Sequence, residues 1–269
     1  ISLNIKNLNK ILPEESLSGE NKGGISLAYS EEELNRYHET SKKLNKIGSS
    51  VILSNKDVAN MGLKAYGGIK YSNEGSINPI KLRDFLLDNI CADFYFGENV
   101  KYFDSKKVVS ETINFECQKV VVASNIYTKE IDFPGKDLVK LESARNQIMS
   151  FKCDKRYLSS IVYSTRDLLY FRQDPDNTLI IGGARSFDPK AENTIELGIN
   201  KKIIGYIEDF VKETNIDTKG IINQWSGIMA YTIDGLPYLG ELSKDLFFLV
   251  GLNGHGMGIS FSYGEKLVD

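Results

Sequence analysis

WSGIMAYTIDGLPYLGELSKDLFFLVGLNGHGMGISFSYGEKLVD, residues 225–269, is the stretch from which the fold is read. Within it, Leu246 to Val250 is an apolar run of strand length. A turn carrying Gly251, Gly254, Gly256 and Gly258 follows, then apolar residues at helical spacing through Ile259, Phe261 and Leu267. A strand feeding a glycine-rich turn that opens a helix aims backbone N–H groups and a positive dipole end at whatever lies beyond the turn. The corner is open to three readings: a plain strand-to-helix connection, a seat for a cofactor, or a Rossmann dinucleotide turn. The last needs a βαβ unit with an acidic residue about 20 residues further on. The sequence to Asp269 does not complete that unit.

Composition excludes several function classes. With 269 residues, 41% of them hydrophobic, the chain can bury one or two cores. A net charge of −3 gives no basic footprint, so nucleic acid is not expected as a partner. No apolar run spans a membrane and Ile1 opens no signal peptide, which together with Cys91, Cys117 and Cys153 read as reduced, buried thiols gives a cytoplasmic expectation. His38 and His255 are the only histidines, so no metal site is expected.

Along the chain, residues 1–5 alternate like a strand. Ser30 followed by Glu33 is a capping box; Leu34, Tyr37, Ser41, Leu44 and Ile47 mark one helix face, and Gly48 ends it. His38 sits beside that stripe as a surface or packing residue. Residues 51–53 form a short strand. Asn78 and Pro79 open a second helix whose buried face is Leu82, Phe85, Leu86 and Ile90. Residues 94–96, 100–103, 108–115 and 119–124 read as successive strands, the last apolar throughout as if buried on both faces. Residues 168–171 and 179–183 flank Asp174 to Asn177 as a hairpin, and residues 195–211 carry helical spacing.

The wording of several segments is more specific than their periodicity. Trp225-Ser226-Gly227, Thr232 with Asp234-Gly235, Pro237 and Gly240, and Gly251 with Gly254-His255-Gly256-Met257 resemble the C-terminal signature of the DAO family. These are FAD-dependent amine and amino-acid oxidoreductases such as D-amino-acid oxidase, glycine oxidase and sarcosine oxidase. Ser18-Gly19-Glu20-Asn21-Lys22-Gly23-Gly24 resembles the family's Ser-Gly-x-Asn-x-Gly-Gly loop. Tyr66-Gly67-Gly68 through Gly75, Ile77, Pro79 and Leu82 resembles its Gly-Gly-x-Tyr … Gly-x-Ile-x-Pro segment, and Arg145-Asn146-Gln147 resembles the strand that re-enters its substrate domain. Residues 119–124 resemble a further family strand, with Asn125 where glycine is usual; asparagine accepts a left-handed backbone better than most residues.

The resemblance implies an α/β (α+β overall) fold: a split Rossmann-like FAD-binding domain, residues 1–30, 75–135 and 225–269, with a mixed or antiparallel-sheet substrate domain, residues 31–74 and 136–224. It implies non-covalent FAD, because no cysteine lies near Gly227, where sarcosine oxidases tether the flavin. The implied cofactor contacts are Ser18, Asn21, Gly23, Gly24, Val100, Ala123, Ser124, Trp225, Gly227, Asp234, Gly254, His255, Gly256, Met257 and Gly258. The family's first βα unit with its Gly-x-Gly-x-x-Gly turn does not precede residues 1–5, and Asn4 to Asn7 offers no acidic residue for the ribose. Either the sequence is a fragment or a partner subunit supplies that unit.

The implied reaction is oxidation of the C–N bond of a small amine or amino acid by hydride transfer to flavin. The neutral amine can bind directly, so no protein base is required. His255 is the candidate for a catalytic role. Glycine and D-amino-acid oxidases carry a carboxylate-gripping arginine where this chain has Met229. Arg185, with Arg172 and Arg166 as alternatives, is a substitute, and Tyr170 joins Met229 and Arg185 as a substrate-side candidate. Ile180 stands where sarcosine oxidases carry an oxygen-activating lysine, which favours a dehydrogenase. The alternative function is a non-catalytic or truncated member lending structure to a flavoprotein complex.

Overall fold

The computed structural model describes residues 22–46 and 48–268. The strand read over residues 1–5, and Ser18 and Asn21 of the glycine-rich loop, lie outside them, as do Ile47 and Asp269. The chain begins with β1 (Gly24–Ala28), α1 (Glu31–Leu44), β2 (Ser50–Ser54), α2 (Asn55–Asn60), β3 (Gly67–Tyr71) and α3 (Pro79–Asn89). Next come the short strands β4 (Val100–Phe103), β5 (Lys107–Ser110), β6 (Asn114–Glu116) and β7 (Val120–Val122). The rest comprises β8 (Leu141–Cys153), β9 (Ile161–Ser164), β10 (Leu169–Gln173), β11 (Thr178–Gly183), α4 (Lys201–Glu213), β12 (Thr218–Thr232), β13 (Tyr238–Ser243), β14 (Leu246–Val250) and α5 (Gly256–Val268).

The mixed α/β character expected from the sequence is realised in three sheets. An eight-stranded sheet runs β12-β8-β11-β10-β9-β1-β3-β2, antiparallel except for the parallel pair β1/β9. A three-stranded sheet runs β13-β14-β7 with β14 and β7 parallel, and β4-β5-β6 form a meander. Strand β1 and residues 225–232 of β12 therefore both lie in the large sheet, although the sequence grouped them with residues 75–135 in the other domain.

One face of the large sheet is closed by α4, whose Ile203, Ile207 and Phe210 pack with Leu27, Met149 and Leu169; each such side chain contributes about 1.5–3 kcal/mol when fully buried. The opposite face is covered by α1 at the β1-β3-β2 end, where the Tyr37 hydroxyl donates to the Leu27 carbonyl. A second core joins Phe103, Phe133, Phe248 and Val120 and Val122 of β7, with the Phe103 and Phe133 rings stacked 4.6 Å apart.

Local signals fixed several boundaries. Ser30 caps α1 by accepting the Glu33 N–H, although the Glu33 carboxylate accepts from the Tyr29 N–H rather than from that of Ser30. Asn78 caps α3 as its sequence predicts, and Asn125 takes φ 51°. His38 is exposed. Other expectations failed for tertiary reasons. The helix expected over residues 195–211 begins only at Lys201, because Asn200 caps it and the preceding segment is held by the sheet. Residues 94–96 have no strand partner; the Phe94 and Phe96 rings stack on each other and Tyr95 packs on Phe115. Residues 108–115 fold back at a turn where Ser110 bonds Ile113, giving β5 and β6. Val121 is 59% exposed, so β7 is buried on one face only, at the edge of its sheet. The α3 stripe is half-buried at Leu82, Phe85 and Leu86 and exposed at Ile90, and of the cysteines only Cys153 is buried.

The segment before α4 is anchored by Glu192, whose fully buried carboxylate pairs with Arg145 of β8 at 2.9 Å and accepts from Gln147 and Asn200. Burial by itself would raise that carboxyl; the hydrogen bonds from Arg145, Gln147 and Asn200, with the Arg145 charge, hold it below the ordinary range. Glu192→Ala strands Arg145 and should lower unfolding free energy by about 3–5 kcal/mol in denaturant titration. A loss below about 1 kcal/mol would show that the pair does not anchor this segment.

Candidate functional site

The face of the large sheet opposite α4 is organised by strand register. Trp225, Ile148, Gly182, Tyr170 and Tyr163 are consecutive partners from β12 through β8, β11 and β10 to β9, so their side chains share one face. Trp225, Tyr170 and Tyr163 are each about 40% exposed, at 40%, 41% and 41%. Along β12 the same two-residue period adds Gly227, Met229 and Tyr231. At Gly182 a Cβ would fall 2.8 Å from the Tyr170 hydroxyl and 3.0 Å from Ile148 Cγ1, so glycine there makes room for the ring.

Two asparagines complete the free edge of β12. Asn125, just past β7, donates through Nδ2 to the Ile228 carbonyl and accepts the Ala230 N–H at Oδ1. Asn253, just past β14, donates its backbone N–H to the Ala230 carbonyl and accepts the Thr232 N–H at its side-chain oxygen. Both take left-handed backbone, φ 51° and 52°. Because β7 and β14 are parallel neighbours, both C-terminal ends meet β12. Ligands of open α/β sheets bind beyond such ends.

The turn after β14 matches the sequence reading: Leu246–Val250 is a strand and α5 opens at Gly256. Gly254 has φ +79°, and a Cβ there would lie 3.2 Å from Met229 Sδ and 3.4 Å from the Tyr231 hydroxyl. Glycine is required by the backbone and lets the turn close on β12. His255 donates its N–H to the Leu252 carbonyl, accepts from Gly258, and leaves its side chain exposed.

Tyr231 links this turn to β11, since the Arg185 guanidinium lies over its ring at 4.8 Å. The phenols here are electrostatically connected. Burial, with a smaller contribution from Tyr231, pushes Tyr170 up to about 12, and the same causes raise Tyr163. The Tyr170 ring is partly exposed, yet its hydroxyl end rests over Gly182, which is why burial dominates.

The structure thus brings Gly254 and Arg185 to Tyr231 and Gly254 to Met229, sets Trp225, Gly227 and Met229 on the same face of β12, and links Tyr170 to Tyr231 electrostatically. Ala123 and Ser124 end β7 beside Asn125, with Ser124 Oγ bonded to Thr128. Gly256, Met257 and Gly258 form the first turn of α5. Asp234 accepts the Leu236 N–H in the turn after β12. Gly23 and Gly24 stand at the start of β1 in the large sheet, and Val100 packs on the second core. Arg172 bonds the Ile77 carbonyl and pairs with Asp174, while Arg166 pairs with Glu213, so neither is free. Tyr231, Tyr163 and Asn253 escaped the sequence reading. The alternation W-S-G-I-M-A-Y would have placed Tyr231 on the face of Met229, and Asn253-Gly254 is a turn signal. Among the described residues no helix is long and apolar enough to cross a membrane, and no group of three or more His, Cys, Asp or Glu could hold a metal.

A family model described as "FAD dependent oxidoreductase", DAO, matches residues 6–269. Glycine oxidase from Geobacillus kaustophilus is similar in structure, with a TM-score of 0.81 at 19% identity over 99% of this chain and 75% of that one. Glycine oxidase from Bacillus cereus ATCC 14579 gives 0.82 at 16% identity over 100% and 77%. L-Proline dehydrogenase from P. horikoshii gives 0.79 at 17% identity over 98% and 75%. No curated protein matches the sequence.

Two outcomes follow from the site's geometry. Asn125→Gly keeps the left-handed backbone but leaves the Ala230 N–H unpaired, and should cost about 1–3 kcal/mol in chemical denaturation; an unchanged midpoint would show that the clamp is dispensable. Tyr37, Tyr170 and Tyr206 are all raised to about 12 from an ordinary 10.0, mainly by burial. Raised phenols favour the folded state only while protonated, so their contribution is complete below pH 10 and is lost as pH rises from 10 to about 12. The melting temperature should fall across that window, and less steeply in Tyr170→Phe; identical slopes would remove Tyr170 from the account.

Proposed function

Because the chain belongs to the DAO family of FAD-dependent oxidoreductases, we propose that it oxidises the C–N bond of a small amine or amino acid by hydride transfer to flavin. The observation that carries the reading is the meeting of the Gly254–Gly258 corner with the Trp225–Tyr231 face of β12. We assign residues 75–135 and 225–269 to the cofactor side and residues 31–74 and 136–224, with β1, to the substrate side, and take the protein to be cytoplasmic.

The residues present fit the flavin end of FAD. Gly227 has open space where a Cβ would stand, on the same face as Trp225 and Met229, so a planar ring can lie against the strand. The amides opening α5 supply a positive dipole end that stabilises negative charge on an adjacent ring. Gly256 and Met257 form the first turn there, His255 stands at the same corner, and Ala123 and Ser124 follow the end of β7. FAD, when bound, supplies the two-electron acceptor.

The chain's own residues contribute placement. Tyr170, Tyr163 and Trp225 form an aromatic wall that orients an apolar substrate body and displaces water from it. Tyr170 stays protonated through the physiological range and can only donate or accept a hydrogen bond as a neutral phenol. The substrate amine enters unprotonated, so the wall need not take a proton. Met229 presents an apolar thioether beside Gly254.

Purified native protein should show flavin absorbance bands that pass to the supernatant on heat denaturation, establishing non-covalent FAD. Glycine, sarcosine and proline with a dye acceptor then test C–N oxidation. Folded, colourless protein would overturn the reading in favour of a structural subunit of a flavoprotein complex. Gly254→Val, which violates both the backbone and the contact with Met229, should lower the flavin-to-protein ratio; an unchanged ratio would remove this corner from the cofactor site.

A further inference from the structure

We propose that Arg185 is the specificity-determining residue of this site: its guanidinium, carried on the ring of Tyr231, grips an anionic carboxylate of the substrate from the β11 side. The inference rests on the reading of the preceding subsection and goes beyond it by saying which side of the site recognises charge, and with what.

The first observation concerns pairing. Among the described residues, Arg145, Arg166 and Arg172 each pair with a carboxylate, and Arg36, Arg83 and Arg156 likewise bond a carboxylate or a carbonyl. Arg185 alone of the arginines has neither kind of partner; its side-chain contact is the Tyr231 ring at 4.8 Å. It is half-buried, so its charge is only partly hydrated. Glu142, opposite Tyr231 in the strand register, forms no ion pair with it. A guanidinium held over an aromatic ring by cation–π attraction needs no hydrogen-bond acceptor there, so its N–H fork can receive a carboxylate bidentately.

The second observation concerns how firmly Arg185 is aimed. It follows Ala184, a fully buried residue at φ 58° whose N–H donates to the Asp167 carbonyl at 3.0 Å. Asp167 and Leu168 are themselves left-handed, both at φ 55°, and a Cβ at Gly183 would fall 2.3 Å from the Leu168 carbonyl oxygen. Strained, non-glycine backbone persists only where its surroundings over-determine it. Here the Tyr206 hydroxyl bonds Asp167 while its ring packs at a tilt of 31° on Phe187, 4.2 Å between centroids, supporting the corner from behind. The corner therefore fixes the backbone from which the Arg185 side chain reaches the Tyr231 ring.

The third observation is complementarity across the site. Met229 puts an uncharged thioether on β12, beside Gly254, so strand β12 offers no cation there. Charge on the β11 side and apolar surface at Met229 and Tyr170 select an amine that carries a carboxylate at one end and an apolar body at the other.

Binding of phenylacetate and of its uncharged isostere phenylacetamide to the native protein, measured by calorimetry, tests this without any turnover. Phenylacetate should bind about tenfold or more tightly than phenylacetamide, the worth of a charge-assisted hydrogen bond. Arg185→Gln should remove that difference, Arg185→Lys should restore part of it, and Arg166→Gln should leave it intact. Failure of the native protein to bind phenylacetate, or full preference retained in Arg185→Gln, overturns the proposal. Should Arg185→Gln not fold, Arg185→Lys decides instead, because loss of the fork with retention of charge must still weaken phenylacetate. Arg185-dependent binding in a protein without flavin would sink the oxidoreductase reading alone; a flavoprotein indifferent to Arg185 would sink this inference alone.

Discussion

The structure depends on how the outer edge of β12 is satisfied between Ile228 and Thr232. A strand edge that meets another sheet cannot leave its N–H and C=O groups unpaired. Asn125 and Asn253 supply the partners, the first with its side-chain amide and the second with one backbone and one side-chain group. Each must leave its strand through left-handed backbone to do so, which asparagine accepts at little cost. The two bolts join the β13-β14-β7 sheet to the large one and place the opening of α5 beside Met229 and Tyr231.

That junction explains why the site lies where it does. The α4 side of the large sheet is filled by packing, and α1 covers the other side only at the β1-β3-β2 end. The remaining strip, from Trp225 across to Tyr163, is aromatic and partly exposed, and its upper rim is the glycine corner. Under the proposed function, the corner at α5 serves the cofactor and the strained turn carrying Arg185 serves the substrate. Tyr231 touches both, and communication between the two runs through one ring.

Where sequence and structure parted, a tertiary partner decided the outcome. Periodicity alone would run a helix from residue 195, but Arg145 and Gln147 reach the carbonyls of Glu196 and Gly198 and hold that segment extended until Asn200. The apolar run of β7 promised burial on both faces, yet β7 is an edge strand and Val121 faces out. The reverse also held. Asn125 in a glycine position was legible as a left-handed residue; that its side chain would cross more than a hundred residues to β12 was not.

The sequence by itself determined the local elements and the family. Ser30 and Asn78 name helix starts because capping is a bond between near neighbours, and Leu246 to Gly258 names a strand, a turn and a helix because a glycine-rich turn separates two apolar runs. Trp225, Gly227, Met229 and the Gly254–Gly258 corner were likewise nameable from their wording as residues of a family motif. Only the tertiary structure decided which of Arg166, Arg172 and Arg185 stays unpaired, and that Tyr231 stands between Arg185 and Gly254. The reason is physical: a charge is free or taken according to what the fold brings within a few ångströms, and Glu213 for Arg166, the Ile77 carbonyl for Arg172 and the Tyr231 ring for Arg185 lie tens of residues away along the chain.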